Sequence, residues 1–250
     1  MAFWTEALIE DYDRACKLLK YPQSVVGDSI SRFIKQDDKV MDVGAGSGAT
    51  ASFLSPLCQK VYALEPDDAA FNYIRERIRK EGLHNVTPIH ARWPADGLPS
   101  FSIVSGFYLL FFANAIFTVR PMVEQAERGG IFLVERSLEL QPMYREIQAR
   151  IGAASRNEQP GCVCGCRIVG MLEGLGAKAS CQAVDHDFGQ PVNDEDAAAE
   201  FIRRMLHVDE RYKEPISKIA KEYMTEREGH PFVSYERKSC LIFFEKQEMY

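Results

Sequence analysis

The chain has 250 residues, 46% of them hydrophobic and 26% charged, enough apolar material for one large domain with a full core. A formal net charge of −6 leaves no excess of cationic residues, which argues against nucleic acid as a partner. Seven cysteines, an odd number and scattered apart from one trio, do not make a secreted disulfide framework.

The N-terminal stretch MAFWTEALIEDYD carries Glu6, Glu10 and Asp11 where a secretory signal needs a basic start and an apolar run, so a cytoplasmic protein is expected. Apolar positions at Ala7, Leu8, Ala15, Leu18 and Leu19 predict an amphipathic helix over 5–20, and a second helix is predicted over 24–35, so that residues 1–36 form an N-terminal helical segment. The period then changes. Lys39 to Val43 reads as a strand, Gly44, Gly46 and Gly48 as a turn, 49–57 as a helix and 60–65 as a second strand. Pro66 and Asp67 open a helix that runs to Lys80, with proline in its first turn and Gly82 as its stop. Residues 86–90 are a third strand and 102–106 a fourth, buried one.

No charged residue occurs from Gly97 to Val119, a length that meets the threshold for a transmembrane helix. Pro99, Ser100, Ser102, Ser105, Gly106 and Asn114 dilute it, and the alternation requires a buried strand and then a helix within 109–128, interrupted near Pro121. No membrane association is therefore expected. Gly130 to Glu135 is a fifth strand. Beyond it, helices are predicted over 140–151, 167–175 (stopped by Gly176), 194–206 and 209–227, a loop over 155–165, and strands over 178–188 and 235–246. This order predicts a single doubly wound α/β domain around a mainly parallel sheet, with its cofactor-binding core in 37–136.

The most informative segment is ValMetAspValGlyAlaGlySerGly at 40–48. A strand that turns sharply into a helix needs glycines where a Cβ would clash, and it then presents backbone N–H groups to a ligand. Glu65 closes the next strand, where a carboxylate accepts both hydroxyls of an adenosine ribose. The glycines also fit the G-x-G-x-x-G/A fingerprint of dinucleotide enzymes, which keeps an NAD-dependent oxidoreductase as an alternative. Asp42, beside the turn, repels a diphosphate and favours a ligand that carries positive charge there.

ValMetAspValGlyAlaGlySerGly followed by ValTyrAlaLeuGluProAsp resembles the class I S-adenosylmethionine-dependent methyltransferases, over roughly residues 25–135. The resemblance implies a seven-stranded sheet with an antiparallel last strand and S-adenosyl-L-methionine as cofactor. It implies Asp42, Gly44, Ala45 and Gly46 around the methionine end, Glu65 and Pro66 at the ribose, and Ala91, Arg92 and Trp93 near the adenine. It places Gly106 and Phe107 near the reacting methyl, and Tyr12 closing over the methionine end. Two positions depart from the family pattern. Arg92 stands where an acid often holds the adenine amino group, and Ser102 where Asp often precedes the fourth strand.

Methyl transfer from a sulfonium is an in-line displacement that depends mainly on alignment. Ligands of an open parallel sheet bind beyond the carboxyl ends of its strands, so the long segments 137–166 and 189–234 are expected to act as lid insertions over a pocket for a small-molecule acceptor. Tyr12, Tyr21, Tyr108, Glu135, His186 and His207 lie in reach, with Tyr108 and His186 the catalytic candidates. Asp185 and Asp187 flank His186, and such carboxylates are expected to raise its pKa and orient it as a base. Cys162, Cys164 and Cys166 share one face if extended, but no C-x-x-C pair accompanies them, so they read as unliganded thiols and no metal is expected. SerGlyPheTyr after the fourth strand is unlike the AsnProProTyr of enzymes that methylate exocyclic or glutamine amines. The expectation is a methyltransferase for small molecules; a non-catalytic S-adenosylmethionine-binding regulatory protein is the other alternative.

Overall fold

The computed structural model describes residues 4–109, 115–136, 141–153 and 165–247. Helices α1 (Glu6–Leu19) and α2 (Gln23–Phe33) come first, as expected. Thr5 caps α1 by accepting the Leu8 N–H, and Lys20 ends it in the left-handed conformation. Then follow β1 (Lys39–Val43), α3 (Ala49–Leu54), a turn of 3-10 helix over Ser55–Leu57, β2 (Lys60–Leu64), α4 (Asp68–Glu81), β3 (Val86–Ile89), β4 (Ile103–Phe107), α5 (Ala115–Gln125) and β5 (Gly129–Glu135). The second half holds α6 (Pro142–Arg150), α7 (Gly165–Gly174), β6 (Ala177–Asp187), β7 (Gln190–Pro191), α8 (Glu195–Leu206), α9 (Lys213–Ala220), β8 (Met224–Arg227), β9 (His230–Val233) and β10 (Glu236–Lys246).

Seven strands form one sheet in the order β3-β2-β1-β4-β5-β10-β6. The pairs from β3 through β5 are parallel, while β10 is antiparallel to both β5 and β6. The sheet thus matches the seven-stranded arrangement expected. Because β10 runs backwards between two forward strands, its first residues meet the last residues of β5 and β6. Ser239 faces Glu135, and Arg237 faces His186. Both sheet faces are covered by apolar clusters. One holds Val40, Ile103, Ile131 and Leu241 with α1 and α2; the other holds Met41, Val104, Phe132 and Ile242 with α5 and α7.

Three expectations need correction. Pro121 does not interrupt its helix: α5 runs unbroken over Ala115–Gln125 with the proline inside it. Pro66 is not in the first turn of its helix: Asp67 is the N-cap, accepting the Ala69 and Ala70 N–H groups, and α4 begins at Asp68. The predicted helix 209–227 is broken. It resolves into a 3-10 turn (Glu210–Tyr212), α9, a second such turn (Lys221–Tyr223) and then β8. β8 pairs with β9, and β9 with β7, in a second, three-stranded sheet. The cause is local. Glu228 and Gly229 both have positive φ (49° and 77°), which makes a two-residue hairpin whose twist suits antiparallel strands, and Arg227 faces His230 across it.

That small sheet packs with α6, α8 and α9 around Tyr144, Ile147, Phe201, Ile202, Ile216 and Val233. Asp187 ties it to the end of β6. Its carboxylate accepts from Gly189 N (2.9 Å), Tyr235 N (2.9 Å), Ser234 Oγ (3.0 Å) and Arg227 Nη1 (2.9 Å). Among the described residues, no helix is long and apolar enough to cross a membrane. Cys162 and Cys164, the expected loop 155–165 over residues 155–164, and residues 137–140 lie outside the described residues.

Candidate functional site

The glycine turn sits at the carboxyl edge of β1. Gly44 and Gly46 have φ of 71° and 55°, and Gly48 (78°) caps α3, so each holds a conformation that disfavours a side chain. Gly44 N and Ala45 N donate to Leu64 O at the end of β2. Glu65 completes the clamp. One carboxylate oxygen accepts Gly46 N at 2.9 Å and the other accepts Asp67 N at 3.0 Å. Burial raises the Glu65 pKa, and the two N–H groups oppose that rise.

Asp42 lies beneath the turn and is 1% exposed. Oδ1 accepts the Ser105 hydroxyl at 2.8 Å, while Oδ2 is buried with no partner. Burial first, and then the nearby Glu65 charge, push its pKa up to about 7. A buried carboxylate oxygen without a donor is costly, and a cationic ligand group would satisfy it. A diphosphate would instead bring two more negative charges beside two carboxylates. The turn is roofed by apolar side chains: the Trp4 ring comes within 3.4 Å of where a Gly46 side chain would stand, and Leu109 within 2.9 Å of one at Gly44.

The strand-edge residues form a second group on the α1 and α2 side of the sheet. Tyr108, just past β4, is forced to φ 55° and donates its backbone N–H to Leu133 O. Its hydroxyl lies 2.8 Å from Ser239 Oγ and 3.4 Å from His186 Nε2. Tyr21 stacks on His186 with ring centroids 6.0 Å apart. Phe188 packs between Tyr12 (5.3 Å) and Tyr21 (4.8 Å), and Tyr12 meets Trp4 at 5.4 Å. A continuous aromatic wall therefore runs from the glycine turn to His186.

The expected rise in the His186 pKa is reversed. Burial first, and then the Arg237 charge, push it down to about 4, outweighing Asp185 and Asp187. Both flanking carboxylates are engaged elsewhere. Asp185 takes Arg136 at 2.8 Å, and Asp187 holds the second sheet. His186 is consequently a neutral imidazole at physiological pH.

No family model matches the chain. Over 97 residues it is 31% identical to a protein-L-isoaspartate O-methyltransferase of Helicobacter pylori, an alignment that spans 38% of this chain and 44% of that protein. The chain spans less than two thirds of the length of the curated relatives it matches. Among solved structures, the YcgJ protein of Bacillus subtilis superposes with a TM-score of 0.61 at 17% identity, covering 89% of this chain and 98% of that one. A Geobacter sulfurreducens S-adenosylmethionine-dependent methyltransferase, solved with S-adenosyl-L-homocysteine, superposes with a TM-score of 0.52 at 11% identity, covering 90% and 91%. The chain has the class I methyltransferase fold.

On this methyltransferase fold the named residues fall into three places. Asp42, Gly44, Ala45, Gly46 and Glu65 converge at the turn, with Pro66 beside them. Gly106 and Phe107 are the last two residues of β4 rather than past it, Tyr108 follows them, and Tyr12 joins the aromatic wall. Ala91, Arg92 and Trp93 lie past β3. Arg92 is exposed, while the Trp93 ring packs in the α5 and α7 cluster and donates its indole N–H to Thr118 O at 3.1 Å. Past β3 it is His90, stacked on Phe71 at 4.4 Å, that presents a flat ring pair. Ser102 links β1 to β4: its hydroxyl donates to Asp38 Oδ1 at 2.7 Å and accepts Lys39 N at 3.0 Å. His207 ends α8 in the left-handed conformation.

Sequence reading missed Arg237. Its guanidinium carbon lies 4.3 Å from the Tyr108 ring centroid, 5.1 Å from Phe188 and 5.9 Å from Tyr235. A strand cation next to Lys238 reads as a solvated face; only the insertion of β10 between β5 and β6 brings it to the site.

Proposed function

We propose that the chain is an S-adenosylmethionine-dependent methyltransferase that acts on a small-molecule acceptor in the cytoplasm. The observation that carries this reading is the orphaned Asp42 carboxylate oxygen beneath a glycine turn clamped by Glu65. Asp42 would take the ammonium of the cofactor, the Gly44–Gly46 backbone its methionine end, and Glu65 its ribose hydroxyls. Bound there, the cofactor supplies an electrophilic methyl group on a sulfonium.

The chain's own work is alignment and exclusion of water. Gly106, Phe107 and Tyr108 would line the floor at the carboxyl end of β4, and the aromatic wall of Trp4, Tyr12, Phe188 and Tyr21 would shield the site from solvent. Segment 189–234, with α6, would act as the lid. His186 is neutral and so free to accept a proton from an acceptor, and the Tyr108 hydroxyl orients it.

Mass spectrometry of reactions containing S-adenosylmethionine and a small-molecule extract is the test. The expected result is a product 14 mass units heavier than its acceptor, formed together with S-adenosylhomocysteine, absent with Gly46→Val, whose circular dichroism matches the parent. A protein that binds S-adenosylmethionine yet methylates nothing across broad extracts is the regulatory binder instead.

A further inference from the structure

We propose that Arg237 anchors an anionic group, a carboxylate or a phosphate, of the methyl acceptor. The inference deepens the methyltransferase reading and rests on it.

Arg237 enters at the carboxyl edge of the sheet, opposite His186 in the β10–β6 register. Three rings surround its guanidinium, and the side chain is only 20% exposed. Among the described residues its one ion-pair partner is Glu135, at a loose 3.9 Å. Its Nε is buried with no hydrogen-bond partner. The other nearby carboxylates, Asp185 and Asp187, are taken by Arg136 and Arg227. A guanidinium has five donors in a planar fork; here the Tyr108 hydroxyl engages the fork, and the buried Nε–H is left without an acceptor.

Arg237 is not alone in this. The Tyr21 hydroxyl, on a residue 6% exposed, and His186 Nδ1 are likewise buried without partners. Buried polar groups are nearly always paired, so three orphans within one cluster mark a place where a ligand supplies the missing atoms. The sign of that ligand follows from the cluster. Arg237 already covers the ring faces that would otherwise attract a cation, and a second positive charge would be repelled. An anion would gain a fork of donors, with the Tyr21 hydroxyl and the imidazole to complete it. The position suits an acceptor as well. The aromatic wall joins this cluster to Gly46, so an apolar body lying along Tyr12 and Phe188 would reach from the anion toward the cofactor turn.

The test uses the full chain saturated with S-adenosylhomocysteine and three probes: benzoate, phenyl phosphate and benzamide, each followed by saturation-transfer NMR. Benzoate or phenyl phosphate should bind, and benzamide at least tenfold more weakly; the stronger anion names the source. Arg237→Gln should weaken the preferred anion tenfold or more, and Arg237→Lys should recover part of the loss. Glu135→Gln should tighten it severalfold, because the competing carboxylate is gone, a gain that misfolding cannot produce. S-adenosylhomocysteine affinity should be unchanged in Arg237→Gln. If the nucleoside binds but benzamide equals the anions, or Arg237→Gln equals the parent, the anchor is overturned and the methyltransferase reading stands. If S-adenosylhomocysteine does not bind the parent chain, both fall.

Discussion

Asp42 makes cofactor affinity depend on pH in a direction fixed by its surroundings. In the free protein its pKa is pushed up to about 7, because burial and Glu65 disfavour its charge. A cationic ammonium binds the ionised form, so affinity scales with the ionised fraction of the free protein. With a midpoint near 7, that fraction changes roughly tenfold between pH 6 and pH 8. Calorimetric titration of S-adenosylhomocysteine should therefore show a dissociation constant about ten times larger at pH 6 than at pH 8. Asp42→Asn should bind weakly at both, with no slope. Stability moves the other way. A raised folded pKa means that this group's contribution is full below its unfolded value of 3.8 and is lost as pH rises through about 7. The free protein should melt lower at pH 8 than at pH 6, and the ligand should remove most of that difference. Equal affinities at the two pH values, or a slope that survives in Asp42→Asn, would refute the reasoning.

Glu65→Gln leaves one oxygen for two backbone N–H groups, so it should cost about 1–3 kcal/mol of stability by chemical denaturation and weaken S-adenosylhomocysteine binding as well. Asp187→Ala removes four acceptor contacts that join the two sheets, and an equilibrium denaturation loss of about 2–4 kcal/mol is expected, with faster amide exchange in β8 and β9. Arg77→Ala removes the buried one of two cations on Asp13, which is 2% exposed, and leaves it Lys17 at 2.7 Å and the Tyr73 hydroxyl, so a loss of about 1–3 kcal/mol should follow in equilibrium denaturation. His186, held down at about 4, should keep the NMR shifts of a neutral ring from pH 7 to pH 5; its contribution to stability is present above 6.5 and lost as pH falls toward 4.

The sheet was legible because each strand of its first half carries its own local signature. The largely apolar run at 40–43, the uncharged run at 103–107 and punctuation at Gly44 and Gly82 mark elements that tertiary structure leaves unchanged. The turn was legible for the same reason, since its glycines and Asp42 lie within seven residues. The second sheet was not. Glu228 occupies a positive-φ position that usually signals itself by Asn, Asp or Gly, so the hairpin read as a helix continuing from α9. Nor was Arg237, which joins Tyr21, Tyr108, Glu135 and His186, four residues that the sequence did place in reach of the site, from a fifth segment. Flanking charges in sequence misled at His186, because Asp185 and Asp187 spend their charge on Arg136 and Arg227 while the cation that matters comes from the neighbouring strand.

The most direct test of the account is a crystal structure of this chain with S-adenosylhomocysteine. The account predicts the ligand's ammonium within hydrogen-bond distance of Asp42 Oδ2, directly or through one water, with both ribose hydroxyls on Glu65. A ligand seated elsewhere, or a turn that accepts the diphosphate of NAD in its place, would contradict it.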